Sequence, residues 1–196
     1  MSETFFDDPL AAWDAWFAQA QASEPDVPDA MQLATVDADG MPRLRTVLSK
    51  SVDAGGVVFY TNLRSRKGQD LSVHPRCALT WHWKSLERQV HVEGRVRPVS
   101  GWEADVYWRS RARGSQVGAW ASAQSEVIAD RAALEDAVAE VTARFEGQDV
   151  PRPPHWSGYR VVPERWEFWQ GQASRLHDRW EFLPEGAGWI RRRLSP

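Results

Sequence analysis

Apolar positions recur along this chain with two periods, and these divide it into strands and helices. Asp8-Pro9 reads as an N-cap followed by proline at the first helical position, after which Leu10, Trp13, Phe17 and Ala20 fall at helical spacing. Pro25 and Pro28 end that helix. Met31 to Val36 and Pro42 to Ser51 are strands joined by the tight turn Asp37-Ala38-Asp39-Gly40. A second turn at Asp53 to Gly56 leads into the apolar strand Val57 to Tyr60. A short helix capped by Ser65 ends before Pro75, and Arg76 to Trp83 and Glu87 to Pro98 form a strand pair.

Ser100-Gly101-Trp102-Glu103 is a capping box opening a helix that runs on through Tyr107 to Ser115. Asp130 caps a further helix, with Leu134, Val138, Val141 and Phe145 expected as its core stripe. Val150 to Pro154 is a rigid extended connection. The next strand alternates through Val161, Val162, Trp166, Phe168 and Gln170 and breaks at Gly171. Gly186-Ala187-Gly188 is a hairpin turn, and a strand from Trp189 to Leu194 closes the chain. Seven or eight antiparallel strands with interspersed helices predict a mainly β, α+β domain whose meander closes into a barrel and so removes its edges. Residues 1–196 are expected to form one domain, with 1–8 as a flexible acidic tail.

Composition narrows the function. Hydrophobic residues make up 42% of the chain and charged residues 26%, as in ordinary globular proteins. The twelve tryptophans are unusual, and rings of that size must pack on one another or on a flat ligand. The single cysteine, Cys77, excludes an internal disulfide and points to a reducing, cytoplasmic setting. No signal sequence and no apolar stretch of membrane-spanning length is legible. Net charge is −3, yet seven acidic residues and no Lys or Arg lie in the first thirty positions, so the remainder is net basic. Its cations cluster tightly at Arg64/Arg66/Lys67, Arg109/Arg111/Arg113 and Arg175/Arg179. With a pI near 6.0, compact clusters suit small phosphorylated ligands better than nucleic acid.

Arg66 and Lys67 in the first turn of a helix oppose its dipole, unless an anion sits at that N-terminus. The anion site is the preferred reading there. Tyr107, Arg111 and Ser115, one helical turn apart, could make a phosphate clamp, but taken alone they read as a surface ladder. The polar run Gly171 to Arg179 after a core strand is either a solvated turn or the mouth of a pocket. The histidines lack metal-ligand spacing, and no nucleophile elbow, Walker A loop or dinucleotide fingerprint occurs.

In order along the chain stand Arg45-Thr46-Val47-Leu48-Ser49-Lys50, Phe59-Tyr60-Thr61-Asn62, Ser65-Arg66-Lys67-Gly68, Leu86-Glu87-Arg88-Gln89-Val90, Ser115-Gln116-Val117-Gly118-Ala119-Trp120, Gln124-Ser125, Glu167-Phe168-Trp169-Gln170-Gly171 and Arg175-Leu176-His177-Asp178-Arg179. Together they resemble the pyridoxine/pyridoxamine 5′-phosphate oxidases, from about Pro9 to the end. The resemblance implies an FMN-binding split β-barrel and a homodimer with FMN at the subunit interface. It implies that Arg45, Thr46, Val47, Leu48, Ser49, Lys50, Tyr60, Thr61, Arg66, Lys67, Gln89, Gln124, Ser125, Trp169 and Arg179 hold FMN, with Arg66 and Lys67 at its phosphate. Lys50, Tyr107, Arg111 and Ser115 would grip the substrate phosphate. Arg175, Leu176 and His177 would line the substrate site, with Arg175 and His177 the catalytic pair against the pyridine ring.

The implied reaction passes hydride from the substrate C4′ to flavin N5, yields hydrogen peroxide from dioxygen, and releases ammonia from the amine substrate. No metal is implied. Two departures stand out. The Arg- and Tyr-bearing segment that family members often carry before the first helix is not found here, and Ser49 replaces a more usual aliphatic residue. The rivals are a related split-barrel flavin oxidase, such as one acting on phenazine precursors, and a non-catalytic FMN- or pyridoxal-phosphate-binding module.

Overall fold

A computed structural model describes residues 5–24 and 26–196. Helix α1 (Pro9–Ser23) begins as expected, the Asp8 carboxylate accepting the Ala11 N–H at 2.9 Å. It ends at Ser23 with Glu24 extended as its cap, and Pro25 lies outside the described residues. Its buried face is Ala12, Trp13, Trp16 and Ala20, while Leu10 and Phe17 are only half-buried. Trp13 packs on Trp81 and Trp83 with ring centroids 4.5 and 5.7 Å away, and Trp16 meets Phe168 edge-on at 5.3 Å. Much of the tryptophan content is thus consumed by the core under α1.

Nine strands among the described residues form one antiparallel sheet: β1 (Ala30–Val36), β2 (Pro42–Leu48), β3 (Ser51–Asp53), β4 (Gly56–Asn62), β5 (Arg76–Trp83), β6 (Arg88–Pro98), β7 (Trp156–Gln170), β8 (Asp178–Glu185) and β9 (Gly188–Arg193). They pair in the order β2-β1-β5-β6-β7-β4-β3, with β8 on β7 and β9 on β8. The first and last strands of that order, β2 and β3, are joined by Ser49 and Lys50 alone, so the sheet curls into a split barrel spliced by the chain itself. The strand expected to run unbroken from Pro42 to Ser51 therefore stops at Leu48. Ser49 N donates to Asp29 O at 2.9 Å and Lys50 N to Val58 O at 2.8 Å, which turns the chain there.

β7 is the spine. Its first half pairs with β4 and its second half with β8, while β6 lines its other edge from Tyr159 to Gln170. Glu164 is an extra residue in the β6–β7 ladder, a bulge between Gly94↔Pro163 and Glu93↔Arg165. The bulge switches the inward phase, so Val161 faces the core on one side of it and Trp166 and Phe168 on the other, with Val162 turned out. Gly94 is required there, since a Cβ would stand 2.2 Å from the Val162 carbonyl oxygen.

Among the described residues four more α-helices flank the barrel: α2 (Arg66–Val73), α3 (Gly101–Ser110), α4 (Arg113–Ala121) and α5 (Arg131–Arg144). The single helix expected through Tyr107 and Ser115 is broken at Arg111, which caps α3 in an extended conformation. Its guanidinium lies over the Trp156 and Trp108 rings at 4.7 and 5.4 Å, and Arg113 anchors the start of α4 to the Phe145 and Gln148 carbonyls. Those contacts outweigh helix continuity.

The α5 stripe is not plain core either. Phe145 is buried, but Leu134, Val138 and Val141 are half-exposed because α5 packs chiefly on α4. The extended Val150–Pro154 connection is pinned by the Trp108 indole on Val150 O and the Trp120 indole on Pro151 O. At the N-terminus Phe5 stacks on Trp180 at 4.0 Å, and Arg191 donates to the Phe5 and Phe6 carbonyls. The tail expected over residues 1–8 is therefore docked from Phe5 onward, and residues 1–4 lie outside the described residues. No described helix is long and apolar enough to cross a membrane.

Candidate active site

Side chains from β2, β4, the start of α2, the α3–α4 break and α4 converge on a cavity of about 690 Å³. Arg45, Thr46, Val47, Leu48 and Lys50 line it from β2 and the splice, and Tyr60 and Thr61 from β4. Lys67, Tyr107, Arg111, Ser115 and Gln124 complete the set that the sequence reading singled out.

Lys67 is the most telling of these. It is 8% exposed, and Nζ has only neutral oxygens within reach: Thr61 Oγ1 and Ser65 Oγ at 3.3 Å and Gln124 Oε1 at 3.5 Å. Burial, and then the neighbouring Arg45 cation, push its ammonium below the usual lysine range. Its ammonium is therefore buried with no carboxylate hydrogen-bonded to it, and Asp70 favours its charge only through space. Local structure places it there: Ser65 caps α2, and Gly68 lets the turn close, a Cβ there standing 2.1 Å from the Leu63 carbonyl oxygen.

Arg111 repeats the pattern. Its Nη1 is buried and has no hydrogen-bond partner among the described residues, and burial lowers its pKa. Beside it Tyr60 and Tyr107 stack at 4.0 Å and 14°, both near-parallel to Trp156 at 5.4 and 6.1 Å. Burial, then Glu103, push the Tyr60 hydroxyl up to about 12. Lys50 Nζ is held by Asp29 Oδ2 at 2.8 Å. Tyr107, Arg111 and Ser115 thus share one cavity because of the helix break rather than by standing on one helical face. Trp156, Asn62, Gly118, Ala119 and Ser122 also line the cavity and were not foreseen. Asn62, Gly118 and Ala119 stand inside the motifs quoted above, whereas Trp156 and Ser122 lie outside them. A recess of about 780 Å³ beside Arg113, Thr142, Glu146 and Asp149 lacks this convergence, because Arg113 is engaged by backbone carbonyls.

The remaining expected residues do not line this cavity. Ser49 turns inward, its hydroxyl donating to Asp29 O and accepting the Trp81 indole N–H. Arg66 is exposed on α2, and Ser125 sits in a loop with φ 77°. Gln89, Trp169 and Arg179 are cross-strand neighbours in a second cluster on β6, β7 and β8. The His177 ring lies 4.6 Å from Trp169, and its Nδ1 accepts the Gln172 N–H at 3.2 Å, which leaves the ring proton on Nε2. Arg179 is held at 2.7 Å by Glu167, a buried carboxylate also bound by Arg165. Arg175 and Leu176 are exposed at the tip, with Ser174 and Arg175 both in the left-handed region at φ 56° and 61°. Asp178 pairs with Arg193 and accepts from Gln172 Nε2 at 2.8 Å.

This architecture has relatives. A family model described as pyridoxamine 5′-phosphate oxidase matches residues 17–145, and one described as the pyridoxine 5′-phosphate oxidase C-terminal dimerisation region matches residues 156–196. The chain belongs to the pyridoxamine 5′-phosphate oxidase family. Within that family, the pyridoxine/pyridoxamine 5′-phosphate oxidase of Sphingopyxis alaskensis is 55% identical over 196 residues, spanning 100% of this chain and 91% of the relative. The crystal structure of PhzG from Burkholderia lata 383, in complex with tetrahydrophenazine-1-carboxylic acid, superposes with a TM-score of 0.91 at 32% identity, over 97% of this chain and 94% of that one. A pyridoxamine 5′-phosphate oxidase-related, FMN-binding protein from Nostoc punctiforme shares the fold, with a TM-score of 0.75 at 16% identity over 94% and 97%. The matched C-terminal dimerisation region contains Trp169, the Arg175–His177 turn and Arg179.

Proposed function

We propose that this protein is a cytoplasmic, FMN-dependent oxidase that converts pyridoxine 5′-phosphate or pyridoxamine 5′-phosphate to pyridoxal 5′-phosphate, releasing hydrogen peroxide. The observation that carries this reading is the pair of cations with no hydrogen-bonded carboxylate, Lys67 and Arg111, in one cavity beside an aromatic stack. Two such groups suit two phosphates, one on a flavin nucleotide and one on the substrate. The residues fit FMN: Lys67, Thr61 and Gln124 would hold its phosphate, with Arg45 beside them and the Thr46–Leu48 backbone alongside the ring system. Bound FMN supplies the hydride acceptor and the route of electrons to dioxygen.

The chain's own residues bind and orient. Arg111, Tyr107 and Ser115, with Lys50 once released from Asp29, would grip the substrate phosphate and fix the reacting carbon at one distance from the flavin. His177, its Nδ1 occupied by the Gln172 N–H, presents Nε2–H as a donor, and Arg175 adds a cation against the pyridine ring. In this reading the turn of one subunit meets the cavity of the other, so a homodimer carries FMN at its interface. Exposed apolar side chains support such an interface, among them Val127 at 99% and Leu44 at 67% exposure.

The deciding experiment is a visible spectrum of the protein after addition of FMN, followed by pyridoxine 5′-phosphate in air. Flavin absorbance with stoichiometric peroxide and pyridoxal 5′-phosphate is the expected result. Bound flavin without peroxide or aldehyde would overturn the oxidase reading, and failure to retain FMN would overturn the flavin reading.

A further inference from the structure

Behind the cavity wall lies a buried trio. Asp70, 6% exposed, sits one turn beyond Lys67 on α2, and Thr35, 1% exposed, lies near the end of β1. The Thr35 hydroxyl donates to Asp70 Oδ2 at 2.6 Å and accepts from Arg45 Nη1 at 2.7 Å. Arg45 Nη1 also reaches Leu33 O at 3.1 Å, and Nη2 stands 3.5 Å from Asp70 Oδ2. These contacts occupy one end of the guanidinium. Its Nε–H and remaining Nη2–H have no acceptor among the described residues, and together they form the fork with which arginine grips phosphate or carboxylate. Arg45 lines the cavity, and the Arg45 cation is close enough to Lys67 to depress its pKa. Asp70 is the one carboxylate that favours the charge on both, so a single anion is set against two cations, and a second anion facing the free fork would complete the balance.

We infer that Asp70, acting through Thr35, is a positioning residue that holds Arg45 with its free fork turned to the phosphate of the bound flavin nucleotide. The inference rests on the FMN reading above. Two effects of Asp70 oppose each other. Its charge repels a phosphate, whereas its hydrogen bonds orient the arginine that attracts one. The 2.6 and 2.7 Å contacts fix a side chain that otherwise has many rotamers, and orientation is the effect that wins.

The test titrates apoprotein with FMN and with riboflavin, which lacks the phosphate, following the quenching of flavin fluorescence. Asp70→Asn and Thr35→Val are each expected to weaken FMN binding roughly tenfold while leaving riboflavin binding unchanged. Thr35→Ser, which keeps the hydroxyl, is expected to bind FMN like wild type, and this pair carries the test if Asp70→Asn fails to fold. The inference is overturned if Asp70→Asn binds FMN as tightly as wild type or more tightly. It is equally overturned if FMN and riboflavin weaken together, or if Thr35→Val and Thr35→Ser behave alike. Wild-type protein that binds no FMN would instead refute the flavin reading.

Discussion

Single side chains decide the chemistry, and their surroundings set the size of each expected effect. Removing the guanidinium in Arg111→Ala deletes a charge-assisted contact worth about 1.5–3 kcal/mol. At about 1.4 kcal/mol per factor of ten, KM for pyridoxine 5′-phosphate should rise roughly 10- to 100-fold, with FMN affinity unchanged. Steady-state kinetics and a flavin titration check both halves, and an unchanged KM would remove Arg111 from the phosphate site. Arg175→Ala should slow turnover while leaving FMN bound, and an unaltered steady-state rate would show that its role is misassigned.

The Tyr60 hydroxyl gives a pH signature. Its folded pKa is raised to about 12 from 10.0, so the folded state keeps a proton that the unfolded chain loses. The stabilisation is therefore complete below pH 10 and is lost as pH rises from about 10 to 12. Thermal melts should show Tyr60→Phe losing less stability than wild type across that window; parallel curves would contradict this.

Elements show which parts of the fold the sequence could disclose. Strands with clean alternation, such as β5 and β6, were legible, because one face is buried and a one-residue slip would expose it. The break at Arg111 was not legible, since it depends on Trp108 and Trp156, the latter far away in sequence. The bulge at Glu164 was hidden for a related reason: apolar residues at Val161, Val162 and Trp166 fit a strand equally well with or without a phase switch. Gly94→Ala tests the bulge directly. With the Val162 carbonyl oxygen 2.2 Å from the new Cβ, the β6–β7 ladder must shift, at a cost of about 1–3 kcal/mol in urea unfolding. A variant as stable as wild type would show that the ladder yields freely. The site was legible where residues act through their own strand, as at Arg45 to Leu48. It was not where they act through a neighbour, as with Asp70 behind Arg45 and Glu167 behind Arg179.

At the scale of the whole molecule, the two clusters invite a complementation experiment. Lys67→Ala disables the cavity and Arg175→Ala disables the turn. In a mixed dimer of the two, one composite site carries both defects and the other carries neither. Random assortment makes about half the dimers mixed, so co-refolded variants should recover about a quarter of wild-type activity. No recovery above the single variants would show that cavity and turn do not meet across subunits.

The pairing of β4 with β7 also bears on how the protein is made. Thr61 lies opposite Ser157, Asn62 opposite Trp156, and Tyr60 stacks on the Trp156 ring. Lys67 and the Trp156 wall of the cavity lie far apart in sequence, and contacts across so long a separation form slowly. In the FMN reading, flavin would meet a complete cavity only once β7 has paired with β4, so a folded apoprotein would precede the flavin-bound form.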